Sequence, residues 1–156
     1  MSSKEVSSNT DITALRKLVR EEHFSVRWGE MDALGHVNNV VYFRYFESIR
    51  VNWLRDCLGG VLHSHEQGPV LVHTDCQFIK PILYPSECSI SLYCRQPGRS
   101  SLVNEYEIWA ANAGESKQLA TRATSTLVWV DFEKQSSLPL PAGLREFKEL
   151  EAKTEQ

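Results

Sequence analysis

Several features are missing from this 156-residue sequence, and each absence narrows the reading. Its four cysteines, Cys57, Cys76, Cys88 and Cys94, form no C-x-x-C pair. Free thiols in a reduced, cytoplasmic compartment are therefore expected. Cys76, Cys88 and Cys94 fall on apolar faces of predicted strands, so they read as small core residues rather than reactive thiols. The N-terminus, MSSKEVSSNTDITALRK, lacks the apolar centre of a secretory signal. No apolar run is long enough to span a bilayer. The formal net charge is only −3, which gives no global pull toward nucleic acid or an anionic membrane, so an anionic ligand would need a local basic cluster. His63-x-His65 with His73 has no acidic or thiolate ligand to complete a set, so no metal site is expected. There is no internal repeat and no linker within the body. The length suits one domain with a real core.

What is present is ordinary in bulk, at 42% hydrophobic and 24% charged residues, but patterned along the chain. Residues 1–20 read as an N-terminal tail, disordered over 1–10, with Asp11 capping a short helix to Val19 that sets Ile12, Leu15 and Val19 on one side. The main domain is expected over 21–138, and a C-terminal helix and tail over 139–156. Residues 22–28, EHFSVRW, alternate, with Phe24, Val26 and Trp28 on one face of a strand. A helix is predicted from about Asn39 to Leu58: Tyr42, Phe46, Ile49 and Trp53 recur at helical spacing, widened by Val41 and Tyr45, with Arg44, Glu47, Arg50 and Arg55 off the stripe. Gly59-Gly60 ends it. Strands follow at 70–79 (Val70, Val72, Thr74, Cys76 and Phe78 on one face), 87–95, 101–111 and 117–131. Pro139 and Pro141 precede a short amphipathic helix carrying Leu144, Phe147 and Leu150. The fold class is α+β: a five-stranded antiparallel sheet wrapped around one long central helix. Trp109, Val128 and Val130 lie on the sheet's other face, and an assembly of copies would cover them.

The stretch GEMDALGHVNN, residues 29–39, carries the chemistry. A helix starting at Asn38 or Asn39 offers first-turn N–H groups with partial positive charge, which can hold a developing oxyanion. Asn38 also suits a plain helix cap. Asp32 precedes it on a loop that Gly29 and Gly35 allow to turn tightly. Its carboxylate either stabilises the loop as an Asx-turn or works on a carbonyl, directly or through water. Glu30 is the rival carboxylate. His36 either orients the loop or shares proton duty with Asp32.

The run V-R-W-G-E-M-D-A-L-G-H-V-N-N-V-V-Y-F-R-Y-F-E-S-I-R resembles the signature of the hotdog-fold acyl-CoA thioesterases of the 4-hydroxybenzoyl-CoA thioesterase type. F-I-K-P-I-L-Y-P-S-E resembles that family's entry into its third strand. The likeness spans about residues 21–131 and is specific mainly over 26–50. It implies a homodimer or tetramer of dimers with the active site at the dimer interface, an acyl-CoA substrate, and no cofactor beyond the coenzyme A that enters with the substrate. It implies Asp32 as nucleophile or general base and the Asn39 backbone N–H at the thioester oxygen, with His36 at a position that varies between subfamilies. Gly35, Val37 and Asn38 would border the substrate. Tyr42, Tyr45 and Phe46 could line the acyl group, and Arg95 and Arg99, in the hairpin R-Q-P-G-R-S, would meet the nucleotide phosphates; ordinary solvated arginines are the alternative. Lys80 is a weaker candidate. Glu47 suits an ion pair with Arg44 or Arg50, or the scheme in which the carboxylate comes from mid-helix. H-V-N-N also resembles the plant-type acyl-carrier-protein thioesterases, but Leu34 stands where those have Asn. A hotdog module that binds acyl thioesters without cleaving them is a second class of reading, and a hydratase or dehydratase of the same fold a third.

Overall fold

The computed structural model describes residues 16–149. Five long strands, β1 (Arg16–Ser25), β2 (Gln67–Phe78), β3 (Ser86–Arg95), β4 (Ser101–Asn112) and β5 (Gln118–Asp131), form one antiparallel sheet in the order β1-β3-β4-β5-β2. A two-residue strand, β6 (Ser136–Ser137), adds to β5 and makes the sheet six-stranded. The single long helix, α1 (Asn39–Cys57), lies in the curve of the sheet. It buries Tyr42, Phe46, Ile49, Trp53 and Leu54 against the inward rows Cys88, Ile90, Leu92 and Cys94 of β3 and Leu102, Tyr106, Ile108 and Ala110 of β4. The period-2 alternation of β3, β4 and β5 and the helical spacing of α1 meet in one core. This is the α+β arrangement expected. No helix among the described residues is long and apolar enough to cross a membrane.

Several local expectations are corrected. The first strand is Arg16–Ser25, not 22–28. The helix expected from Asp11 lies outside the described residues as far as residue 15, and 16–19 is strand. Cross-strand pairing with β3 outweighs the local i, i+3, i+4 pattern there, and a register irregularity between Leu18 and Arg20 hides the alternation. Trp28, expected on a buried strand face, sits in a 3-10 turn (Trp28–Glu30) and is 75% exposed. Arg50 is not off the helix stripe: it is 7% exposed, and its guanidinium donates to the hydroxyls of Tyr106 (2.9 Å) and Ser125 (3.5 Å). In β2 a bulge at Val72 breaks the expected single face, so Val70, Leu71 and Val72 are all exposed on an edge strand. The outer sheet face carries Trp109 but is mainly a lattice of charges, with Arg16 on Glu105 and Glu107, Arg95 on Glu105, and Arg122 on Glu107.

The cysteines are free thiols. Burial pushes Cys88 and Cys94 up to about 12 and Cys57 and Cys76 up to about 11, which favours the thiol over the thiolate near neutrality. After β6 the chain runs back over the open end of the core, burying Leu140 and Leu144. Its helix, α2 (Ala142–Arg145), is one turn, shorter than the helix expected through Leu150; residue 150 lies outside the described residues. Gly143 rests on the carbonyl of Cys57 at the end of α1, where an added Cβ would come within 2.0 Å of that oxygen. The ring of Phe147 meets Trp53 edge-on at 5.6 Å.

Candidate active site

The loop between the 3-10 turn and α1 is closed at its base by an antiparallel bridge between Met31 and Val37. Inside it the Asp32 N–H donates to the carbonyl of His36 (2.8 Å), and the Gly35 N–H donates to the carbonyl of Asp32 (3.1 Å). Gly35 has φ +77°, a conformation that a side chain would strain. Asp32 Oδ1 accepts from the N–H groups of Leu34 (2.8 Å) and His36 (3.2 Å), so the Asx-turn is realised. Asp32 Oδ2 has no hydrogen-bond partner among the described residues. The half-buried carboxylate thus has one oxygen fixed by backbone and one left over.

The helix start divides its groups in the same way. Asn38 is the N-cap: its Oδ1 accepts from Val40 N–H (3.1 Å), and its carbonyl accepts from Val41 N–H (2.9 Å). Asn38 N–H donates to the carbonyl of Glu30 (2.9 Å), and Val37 N–H to that of Ile82 (2.9 Å). In the first turn, the N–H without a partner among the described residues is that of Asn39. A helix of 19 residues ends there, with its partial positive charge concentrated on the unpaired amide.

Glu30 does not stand free as the rival carboxylate. Its Oε2 accepts from Arg27 N–H (2.8 Å) and from the Tyr45 hydroxyl (2.7 Å). Burial and the neighbouring carboxylate push the Tyr45 phenol far up. Tyr42 is buried, with its ring edge-on to Phe78 at 5.0 Å, and burial raises its phenol against an opposing hydrogen bond at the Ile82 backbone. Tyr45 lines a cavity of about 410 Å³ between β1 and α1 with Phe24, Arg27, Glu30, Arg44 and Ile90. Phe46 and Val37 are core residues, 1% exposed each. His36 uses its backbone in the loop and leaves its half-buried ring without a partner among the described residues.

The basic candidates do not join this site within one chain. Arg95 and Arg99 flank the β3–β4 turn, while the Asp32 loop sits at the opposite end of those strands, where β3 begins. Ten residues of strand separate the two ends by roughly 30 Å. Arg95 is held by Glu105 (2.9 Å), and Arg99 is exposed. Lys80 donates to Glu115 (3.0 Å) and Gln118 (2.6 Å). Glu47 is exposed and makes no ion pair among the described residues, so the pairing expected with Arg44 or Arg50 is not formed; Arg50 points inward instead. No group of three or more metal-binding side chains occurs among the described residues. The anchoring contacts of Glu30 have one signal in the sequence, the three-residue spacing from Arg27 that suits a capping contact.

The family model for the thioesterase-like superfamily matches residues 26–147. The uncharacterized protein YsmA of Bacillus subtilis is 27% identical over 121 residues, spanning 73% of this chain and 82% of that protein. The solved structure of PA2801 from Pseudomonas aeruginosa is 35% identical, covers 83% of this chain and 97% of its own, and superposes with a TM-score of 0.73. Slr0204, a 1,4-dihydroxy-2-naphthoyl-CoA thioesterase from Synechocystis, shares the fold at 20% identity, with a TM-score of 0.71 over 83% of this chain and 93% of its own.

Proposed function

Because the chain belongs to the thioesterase-like superfamily, we propose that it hydrolyses an acyl-coenzyme A thioester to the free acid and coenzyme A. The observation that carries this reading is the pair of unused groups at the helix entrance: Asp32 Oδ2 and the Asn39 N–H. With the thioester oxygen on the Asn39 amide, the helix field stabilises the negative charge that develops there as the carbonyl is attacked. Asp32 either attacks the carbonyl carbon itself or takes a proton from the water that does. The Asx-turn bonds on Oδ1 hold the carboxylate in place for that step. The signature over 26–50 supports the 4-hydroxybenzoyl-CoA thioesterase type within the superfamily. An aromatic acyl group has the support of the Synechocystis neighbour's substrate; aliphatic groups fit the same chemistry, and a panel of acyl-CoA chain lengths and aryl groups ranks them.

A two-subunit assembly explains the separation of Arg95 and Arg99 from Asp32. In a dimer joined by antiparallel pairing at the β2 edge, each subunit runs opposite to its neighbour. The β3–β4 turn of one copy then stands at the Asp32 end of the other, where its arginines can meet coenzyme A phosphates.

The test is thiol release by Asp32→Asn. Turnover should fall at least about 100-fold with the melting temperature retained, because a charge is lost and little volume. Unchanged hydrolysis across the panel would overturn the assignment. Saturable binding of acyl-CoA by the unaltered protein with no free thiol would instead favour a binding module.

A further inference from the structure

Asp32 belongs to a loop and Asn39 to a helix, yet the proposed reaction needs both within contact distance of one carbonyl. Something must fix their separation. One residue ties the 3-10 turn that leads into the Asp32 loop to the cap and second turn of the helix. Glu30 donates its N–H to the carbonyl of Arg27 (3.0 Å) and accepts Arg27 N–H on Oε2 (2.8 Å), which sets the 3-10 turn. Its carbonyl accepts the N–H of Asn38, the helix cap (2.9 Å). The same Oε2 accepts the hydroxyl of Tyr45, which projects from the second turn of α1 (2.7 Å). The Tyr45 ring is itself braced by Phe24 of β1, centroid to centroid 4.4 Å. A hydrogen bond to a carboxylate is short and strong, and this one is half-buried, where water competes poorly.

We propose that Glu30 and Tyr45 are a positioning pair that sets the distance between the Asp32 carboxylate and the Asn39 amide. Glu30 then serves the reaction through geometry and is not its base. This rests on the thioesterase reading. It assigns Tyr45 a task its place on an apolar helix stripe does not suggest. The phenol is a tie to the turn that enters the loop, and both partners line the cavity beside it. The Arg27 contact survives loss of the Tyr45 hydroxyl, so Tyr45→Phe should keep the turn and release only the link to the helix.

The experiment compares Tyr45→Phe, Glu30→Gln, Glu30→Ala and Asp32→Asn by steady-state kinetics across pH, with hydrogen exchange over residues 31–39 as a readout that needs no substrate. Tyr45→Phe should lower kcat roughly 10- to 100-fold with KM within about threefold, the size expected of misplacement, and leave the acidic midpoint of the pH profile in place. Glu30→Gln still offers an oxygen to both donors, and should be at least about tenfold more active than Glu30→Ala. Exchange across the loop should quicken in Tyr45→Phe and in Glu30→Ala, but not in Glu30→Gln. Glu30→Gln as inactive as Glu30→Ala, with the acidic limb of the profile gone, makes Glu30 the base and overturns the proposal. So does wild-type kcat and wild-type loop protection in Tyr45→Phe. Full activity in Asp32→Asn would sink the thioesterase reading of Asp32 itself, whereas an inactive Asp32→Asn beside an unaffected Tyr45→Phe sinks the positioning pair alone.

Discussion

Asp32 and Asn38 each face a choice that the sequence leaves open, and in each the structural role is filled with one neighbouring group left over. An aspartate has two carboxylate oxygens, and Oδ1 makes the Asx-turn while Oδ2 has no partner among the described residues. Asn38 caps Val40 with its side chain and leaves the next amide, that of Asn39, without a partner among the described residues. Residue types and spacing are enough to single out this stretch as the candidate site, because GEMDALGHVNN gathers glycine, carboxylate and cap in eleven positions. The division of labour between atoms was not legible, since it depends on which lone pair faces which amide. Thr121 is the opposite case, a residue with no signal in the sequence. Its side chain is fully buried, and Oγ1 has no partner among the described residues. An unsatisfied buried hydroxyl costs about 1–3 kcal/mol. Thr121→Val keeps the shape and removes that oxygen, so chemical denaturation should show a gain of about 1 kcal/mol. A loss of stability would mean that the hydroxyl is bonded in solution.

Among the elements, the long helix and strands β3 to β5 were readable because each carries its own period, 3.6 or 2, against one core. β1 begins before its local pattern suggests because its residues gain their order from β3, across a gap of many residues that no local pattern records. Arg50 departs from the expected stripe for a related reason. Four residues after Phe46 and three before Trp53, it shares their face of α1, and its charge suggested the opposite. Among the described residues, the hydroxyls of Tyr106 and Ser125, supplied by β4 and β5, accept from that cation and make its burial tolerable. The C-terminal segment gives the sharpest element-scale prediction. Gly143 lets α2 seat directly on the last carbonyls of α1. Gly143→Ala must push the two apart, with an expected cost of about 1–3 kcal/mol, seen as a lower melting temperature. An unshifted melting temperature would show that the segment can lift away without penalty.

For the molecule as a whole, the outer sheet face matters through charge. Glu107 is buried, which raises its carboxyl, but Arg16 and Arg122 outweigh that and hold it below its ordinary value of 4.5. A carboxyl depressed by folding stabilises the fold above its unfolded pKa, and that contribution drains away as pH falls through the lower folded value. Thermal stability should therefore decline on acidification from about pH 5 downward, and Glu107→Gln should flatten that decline while lowering stability at neutral pH. A variant with the wild-type acid slope would place the effect elsewhere. The two margins of the sheet are unlike. β1 displays Lys17, Glu21 and His23 to solvent, whereas β2 displays Val70, Leu71 and Val72. Lysines and glutamates repel a second strand that valines and leucines would welcome. Joining at the welcoming margin uses it up on both copies and leaves only guarded margins outside, so a sheet built this way has a combining number of one: it can marry once and cannot grow into a fibre.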